Sequence, residues 1–490
     1  MAVSTPKGGR LRKTKCIHSE GDIPVSNAAT SSPRWDPAFI ADVIKAYDVR
    51  GLVDEQITVD FVRAVGQSFS RLMRSEGALS VVVAHDMRDS GPELAEAFAE
   101  GVTEQGLNVI NIGLASTDEM YCASGLLQVP GAMFTASHNP AAYNGIKLCR
   151  AGARPVGQDT GLATISQELA EGVPESNGAH GHVTNRDMLQ DYADYLNKLV
   201  DLKGIRPLTV SVDAGNGMAG YTVPAVWKEL PLTVKPLYFE LDGSFPNHEA
   251  NPLDPKNMVD LEKYTPEVKA DIGVAFDGDA DRCFVVDEKG HPVSPSAIAA
   301  LVAERELARE PGSTVIHNLI TSKAVPEIIR ENGGEPVRTR VGHSFIKAKM
   351  AETNAVFGGE HSAHYYFRDF WRADSGMLAA MHVLAALGQQ DKPLSEMMAK
   401  YNRYAASGEI NSRLDSAEAQ ADRTEAVVKA FADRAENVDR LDGVTVELKD
   451  GNWFNVRASN TEPLLRLNVE ADTQEAVDAL VKEILAIIRA

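Results

Sequence analysis

At 490 residues with a hydrophobic content of 44%, the chain is long enough to bury several cores, and length alone suggests about three or four domains. A formal net charge of -20, from 69 acidic against 49 basic residues, argues against nucleic acid or an anionic membrane surface as the main partner, so any phosphate-binding cations must be local. Four cysteines without a CxxC pair fit reduced thiols of a cytoplasmic protein, and no window approaches the roughly 18 consecutive apolar residues that a membrane span needs.

Residues 1–36, with KGGRLRKTK followed by Ser, Asn, Thr and Pro, lack hydrophobic periodicity and are expected to form a disordered tail, the fold starting near Trp35. From there the pattern alternates: strand Ile44 to Val49, helix Asp60 to Arg74, strand Ser80 to Ala84, helix Pro92 to Gln105, strand Asn108 to Ile112, helix Thr117 to Leu127 and strand Gly131 to Phe134. A polar, Gly-containing stretch at 171–186 marks a boundary. Helix Met188 to Leu202, strand Leu208 to Val212, helix Tyr221 to Leu230, and strands Thr233 to Phe239, Ile272 to Phe276 and Phe284 to Val286 form a second unit. A third follows with helix Pro295 to Arg309, strand Thr314 to His317, and helices Ser322 to Asn332, Phe345 to Glu352 and Ser375 to Leu387. β-Branched runs alternating with amphipathic helices predict three consecutive α/β domains with mixed, mostly parallel sheets, whose active loops lie at the carboxyl ends of strands. The last block has helix Ala417 to Arg434, strands 443–448, 452–457 and 465–470, and helix Thr473 to Ile488, which predicts a small C-terminal α+β domain.

Four loops carry chemistry. Thr135-Ala136-Ser137-His138-Asn139-Pro140 ends an apolar strand with a serine at the turn and a proline that stops further pairing, the placement of an exposed nucleophile. In Asp277-Gly278-Asp279-Ala280-Asp281-Arg282, carboxylates at alternate positions of an extended chain point to one side and repel unless a cation lies between them, which implies a hard divalent metal. An EF-hand, the competing reading, fails because Arg282 stands where the loop needs glycine and the flanks read as strands. In Gly359-Glu360-His361-Ser362-Ala363-His364, Glu360, Ser362 and His364 alternate along an extended loop and suit a polyol. Arg457-Ala458-Ser459-Asn460-Thr461-Glu462-Pro463 offers guanidinium, hydroxyl and backbone N–H groups to one phosphate. A fifth stretch competes with these: Gly215-Asn216-Gly217-Met218-Ala219-Gly220 matches GxGxxG after a strand, with Glu240 about twenty residues on, and supports a nicotinamide- or flavin-dependent oxidoreductase.

Together the four loops resemble the α-D-phosphohexomutase superfamily, from about Ile44 to the C-terminus, and SNTEP at 459–463 with YNGIK at 143–147 resembles its phosphomannomutase/phosphoglucomutase branch. Phosphoglucosamine mutases, which read SGTEP and DNGIK there, are the alternative. The resemblance implies four domains around a central cleft, here at 37–183, 184–290, 291–403 and 404–490, each giving one loop. It implies an isomerase interconverting hexose 1-phosphate and 6-phosphate (mannose and/or glucose) through phosphoserine at Ser137 and a hexose 1,6-bisphosphate, which serves as intermediate or activator. Mg²⁺ would be held by Ser137, Asp277, Asp279 and Asp281, and the phosphate not reacting by Arg457, Ser459, Asn460 and Thr461. Tyr47, Glu360, Ser362 and His364 would contact the sugar, while His138, Lys147, Arg50, Arg282 and His343 would act near the reacting phosphate, the general base being one of Lys147, His138, His343 and His364. The expected partner is a phosphosugar substrate, with no nucleic acid and no membrane, and the chain is expected as a monomer or homodimer. His361 stands where relatives often have Met or Gln, a departure expected to adjust substrate preference.

Overall fold

The computed structural model describes residues 34–459 and 463–490. Most of the expected tail, together with Asn460 and Thr461, lies outside the described residues. Order begins where the aromatic residues do: Trp35 packs on Phe39 and Phe61, and the Asp36 carboxylate caps helix Pro37–Val43 by accepting from Ala38 N at 2.7 Å.

The described residues form four sheets. The first has Gly131–Phe134 near its middle, parallel to Ser80–His85 on one side and antiparallel to Tyr143–Arg150 on the other. The second places Ile272–Phe276 between parallel Leu208–Asp213 and antiparallel Cys283–Val286. The third places Phe357–Gly359 between parallel Thr314–Asn318 and antiparallel Tyr365–Phe367. In the fourth, all pairings are antiparallel, and Trp453–Ala458 pairs with Leu464–Ala471. The chain is thus α/β in its first three units and α+β in the last, with sheets that mix parallel and antiparallel neighbours.

This topology is what positions the site. Each of the four chemistry-bearing loops connects a strand to the antiparallel strand beside it, so each leaves its sheet at the carboxyl end of an inner strand. A single apolar core runs from Val82 and Met133 of the first unit through Val210 and Phe276 of the second to Ile298 and Leu384 of the third. The fourth unit has its own core around Phe431, Phe454 and Leu467, and joins the third through Arg338 to Asp439 at 3.1 Å and Val341 N to Asp442 Oδ2 at 3.2 Å.

Several expectations shift. The strand expected at Ile44 to Val49 starts only at Val49–Leu52, because Lys45 N bonds Asp48 O in a turn between them. The polar stretch before the second unit contains strand Val183–Asn185, which pairs with Asn108–Leu114 of the first sheet. The Asp277 loop is not extended: Ala280 N donates to Asp277 O at 3.1 Å in a tight turn, and Ala280 has φ 61. Residues 360–364 likewise form a tight hairpin turn, with Glu360 N donating to His364 O at 3.0 Å and Ala363 at φ 66. The helix expected at Phe345 to Glu352 runs His343–Thr353, so that His343 opens it.

The dinucleotide reading fails on space. A Cβ on Gly217 would lie 2.6 Å from Gly278 O, and Met218 N donates to that same carbonyl at 2.8 Å. A Cβ on Gly220 would lie 2.2 Å from Phe239 O. The glycines serve close packing of the Asp277 loop and of the adjoining strand, and the backbone surface that would receive a pyrophosphate is occupied by protein.

Candidate active site

Ser137 follows strand Gly131–Phe134 in a left-handed conformation, φ 50, which costs a non-glycine residue about 1–3 kcal/mol and needs a frame to hold it. The frame is Arg88, a fully buried side chain that reading the sequence does not single out. Its guanidinium donates to four carbonyls of the loop: Ser137 O at 3.0 Å, Asn139 O at 2.7 Å, Pro140 O at 2.9 Å and Tyr143 O at 2.9 Å. Its Nε lies 3.3 Å from Asp86, a buried carboxylate whose pKa burial raises and the Arg88 charge lowers. Thr135 Oγ1 accepts from Ser137 N at 2.9 Å.

Held this way, Ser137 Oγ donates to Asp277 Oδ2 at 2.9 Å, across the boundary between the first and second units. The approach requires Gly278, where a Cβ would come 2.5 Å from Ser137 O. Asp277, Asp279 and Asp281 are all buried, and one carboxylate oxygen from each lies within 4.8 Å of the others. Thr117 Oγ1 donates to Asp279 Oδ2 at 2.6 Å, and Lys147 Nζ donates to Asp279 at 2.7 Å and Asp281 at 2.6 Å. Arg282 Nε donates to Asp277 Oδ2 at 2.8 Å. Even so, Asp279 Oδ1 and Asp281 Oδ1 are buried with no hydrogen-bond partner. Three carboxylates gathered within reach of one another, two of them with a buried oxygen left unsatisfied, could hold a hard divalent cation.

The charges follow from this crowding. Burial and the like charges of Asp281 and Asp279 push the Asp277 carboxyl up against the pull of Arg282. Burial disfavours charge on Lys147, but the Asp279 and Asp281 carboxylates outweigh it and hold the ammonium well above its ordinary value. His138 Nδ1 lies 3.3 Å from Ser137 Oγ, and the Arg282 charge, then burial, then Arg50, keep its imidazole neutral well below the usual pH. Arg50 donates to Asn139 Oδ1 at 2.7 Å and to Asp48 at 2.5 Å.

The third unit closes on this cluster. Arg282 and His364 form a backbone bridge, Cys283 N donates to Ala363 O at 3.4 Å, and His364 Nε2 lies 3.7 Å from Asp281 Oδ1. Ser362 Oγ contacts His364 Nδ1 at 3.1 Å. Glu360 is buried and anchored: Tyr366 OH donates to it at 2.6 Å, Asn318 Nδ2 at 3.1 Å and Gly342 N at 3.2 Å. Tyr47 of the first unit meets Phe345 edge-on at 6.4 Å, beside the Gly342–His343 turn. His361 turns away from these groups toward Ser296, 3.1 Å from its Nδ1.

The structure therefore brings Ser137, His138, Lys147, Arg50, Asp277, Asp279, Asp281, Arg282, Ser362 and His364 into one connected cluster, with Glu360 beside it. Arg457 and Ser459 stand apart on the fourth unit. Arg457 is buried, 3.7 Å from Glu409, and Arg466 links Glu409 to Ser459 Oγ, the last contact at 3.3 Å. Burial lowers the Arg457 pKa. The backbone of His343 is described, but not its side chain.

Four sequence profiles of phosphoglucomutase/phosphomannomutase domains match in order: alpha/beta/alpha domain I at residues 41–174, domain II at 190–290, domain III at 294–404 and the C-terminal domain at 409–487. The chain is 39% identical over 456 residues to a phosphomannomutase of Salmonella montevideo, covering 91% of this chain and 98% of that protein. It is 36% identical over 455 residues to a phosphoglucomutase of Neisseria gonorrhoeae, covering 91% and 96%. A phosphoglucomutase/phosphomannomutase family protein from Burkholderia thailandensis superposes with a TM-score of 0.82 at 31% identity, covering 91% of this chain and 97% of that one. With all four domains matched in order and relatives similar along nearly their whole length, the chain belongs to the phosphoglucomutase/phosphomannomutase family.

Proposed function

We propose that this phosphohexomutase works through a phosphate carried on Ser137, and that the buried carboxylates of Asp277, Asp279 and Asp281 hold Mg²⁺ beside it. The observation that carries the reading is the 2.9 Å contact from Ser137 Oγ to a three-carboxylate cluster with unsatisfied oxygens, supplied by a different domain. Bound there, a divalent cation would supply charge neutralisation as the phosphoryl group moves.

The chain's own residues account for the rest. Arg88 and Gly278 fix Ser137 in position, so little reorganisation is left for the transfer itself. In the first half-reaction the Ser137 Oγ–P bond breaks, a bond forms from phosphorus to the free hydroxyl of a hexose monophosphate, and that hydroxyl's proton leaves to a base. The product is a hexose 1,6-bisphosphate. After the bisphosphate reverses its orientation, its other phosphate returns to Ser137. His138, neutral and 3.3 Å from Oγ, suits holding the serine proton at that atom, while Lys147, held charged by two carboxylates, suits donation to phosphate oxygens. Arg457, Ser459, Asn460 and Thr461 are assigned to the phosphate that is not reacting, Tyr47, Glu360, Ser362 and His364 to the sugar hydroxyls, and His343 to the candidates acting near the reacting phosphate. Reorientation in a cleft needs one constant phosphate grip, and a buried guanidinium on a separately cored domain suits that task. Three buried free thiols, at Cys122, Cys149 and Cys283, agree with a cytoplasmic setting.

The substrate reading is mannose and glucose phosphates rather than glucosamine phosphate. Initial rates on mannose 1-phosphate, glucose 1-phosphate and glucosamine 1-phosphate, with Mg²⁺ and a trace of hexose 1,6-bisphosphate, test it. Fast turnover of the first two supports the reading; preference for the third keeps the chemistry and replaces the substrate.

A further inference from the structure

A cavity of about 630 Å³ lies between the first and third domains. That volume is within the range of small-molecule sites, and domain boundaries are where such sites concentrate. Tyr47 borders it, but Ser137, the three aspartates, Glu360 and Arg457 do not, so its lining overlaps the residues assigned to the reaction only at Tyr47. Its walls are cationic on a chain whose formal charge is -20.

The cations divide into two kinds. Arg150 is neutralised by Glu76, with contacts of 2.8 and 2.6 Å, and Lys347 by Asp374 at 2.7 Å. Arg154 and Arg372 have no carboxylate partner among the described residues. Arg154 gives only Nε to Ala151 O at 3.3 Å, and Arg372 reaches only Asn354 Oδ1, at 3.5 Å. The Nε of Arg372 is buried with no hydrogen-bond partner among the described residues. Against these two guanidinium groups, the one unneutralised carboxylate on the walls is the exposed Asp159.

The backbone at this wall is strained as well. Trp371 and Arg372 are consecutive non-glycine residues at φ 55 and φ 60. Trp371 is locked by stacking on Tyr195 at 4.8 Å and by the bare face of Gly125, where a Cβ would lie 2.2 Å from the indole. A rigid, costly turn thus presents a guanidinium with an unsatisfied donor to a cavity that has a second free guanidinium on the opposite domain.

We propose that this cavity is a second ligand site, for a small organic anion carrying two phosphate groups. One guanidinium meets each end of the charge, and the uncharged body rests against Tyr47 and Phe345. Two sources share this chemistry: a hexose bisphosphate and a nucleoside diphosphate. The proposal does not depend on the phosphoserine reading.

Calorimetric titration of the full-length enzyme and of an Arg154→Ala/Arg372→Ala variant tests it, with glucose 1,6-bisphosphate, ADP and inorganic pyrophosphate as separate probes. If the hexose bisphosphate is the ligand, the parent protein binds one equivalent more than the variant. If the nucleoside diphosphate is the ligand, ADP binds the parent and its affinity falls about tenfold or more in the variant, while Arg457→Ala leaves ADP binding intact. Arg154→Ala alone, on an exposed side chain, serves where the double variant is unstable, and the same fall is expected at smaller size. Identical titrations for parent and variants with both organic probes overturn the proposal. Pyrophosphate binding as tightly as either organic probe overturns the part assigned to Tyr47 and Phe345.

Discussion

Arg88→Lys separates the frame of the serine loop from its charge. The guanidinium supplies four hydrogen bonds to the carbonyls of residues 137, 139, 140 and 143, at 2.7–3.0 Å. An ammonium has three donors, all on one atom, so one or two of those carbonyls lose their partner in a fully buried setting. A hydrogen bond to a charged group contributes about 1.5–3 kcal/mol, so the loop loses about 2–6 kcal/mol. That overlaps and extends beyond the strain held at Ser137, whose left-handed conformation costs about 1–3 kcal/mol, and the loop is expected to relax away from Asp277. A displacement near 1 Å at a reacting group costs on the order of a hundredfold in rate. Because Arg88 is buried beneath the loop, substrate binding should be spared, so kcat falls about a hundredfold while KM moves by less than about threefold. Initial rates on glucose 1-phosphate with saturating hexose 1,6-bisphosphate give both constants, and a thermal melt reports the local loss of stability. A variant with kcat within about threefold of the parent would refute the role given to the guanidinium.

Thr117→Val removes the 2.6 Å bond to Asp279 while preserving shape, and it is expected to weaken Mg²⁺ activation about tenfold without changing the order of sugar preference; an unchanged magnesium titration contradicts this. Gly278→Ala places a methyl 2.5 Å from Ser137 O, so turnover should fall at least a hundredfold with Mg²⁺ binding, read by calorimetry, retained within about tenfold. Asp118 supports a pH test: burial pushes its carboxyl from 3.8 up to about 7, although Ser116, Tyr192 and Ser375 all donate to it. Since the folded value is the higher one, the unfolded chain releases this proton first, and stability is lost as pH rises from about 4 to about 7, by up to about 4 kcal/mol. Asp118→Asn should flatten the fall in melting temperature between about pH 4 and 7, and an identical slope in parent and variant would count against the assignment.

Much of this was legible from local pattern. Helix Thr117–Leu127, strand Gly131–Phe134, strand Ile272–Phe276 and helix Pro295–Arg309 form where apolar periodicity puts them, because each buries a face that its own sequence defines. Strand Tyr143–Arg150 was not legible. Asn144, Gly145 and Lys147 break its apolar run, and it becomes a strand only by pairing with Gly131–Phe134 on one side and Val49–Leu52 on the other. The site shows the same division. The three aspartates stand out through repulsion, which is a local property, yet the turn that gathers them is not the extended chain that alternation suggests. Arg88 sits about fifty residues before the loop it frames, within a polar turn, and nothing near it in sequence announces four buried carbonyls. His361 shows the converse. Its neighbours Glu360 and Ser362 are part of the site, but the hairpin turn sends its ring toward Ser296, which argues against a direct part in sugar choice.

The central claim is that Ser137 carries the phosphate. Peptide mass spectrometry after mixing the enzyme with glucose 1,6-bisphosphate, before and after a chase with excess glucose 6-phosphate, tests it directly. The account predicts one phosphate on the peptide containing Ser137, lost in the chase and never gained by a Ser137→Ala variant. Full turnover with that serine unmodified, or a Ser137→Ala variant with parental kcat, would contradict it.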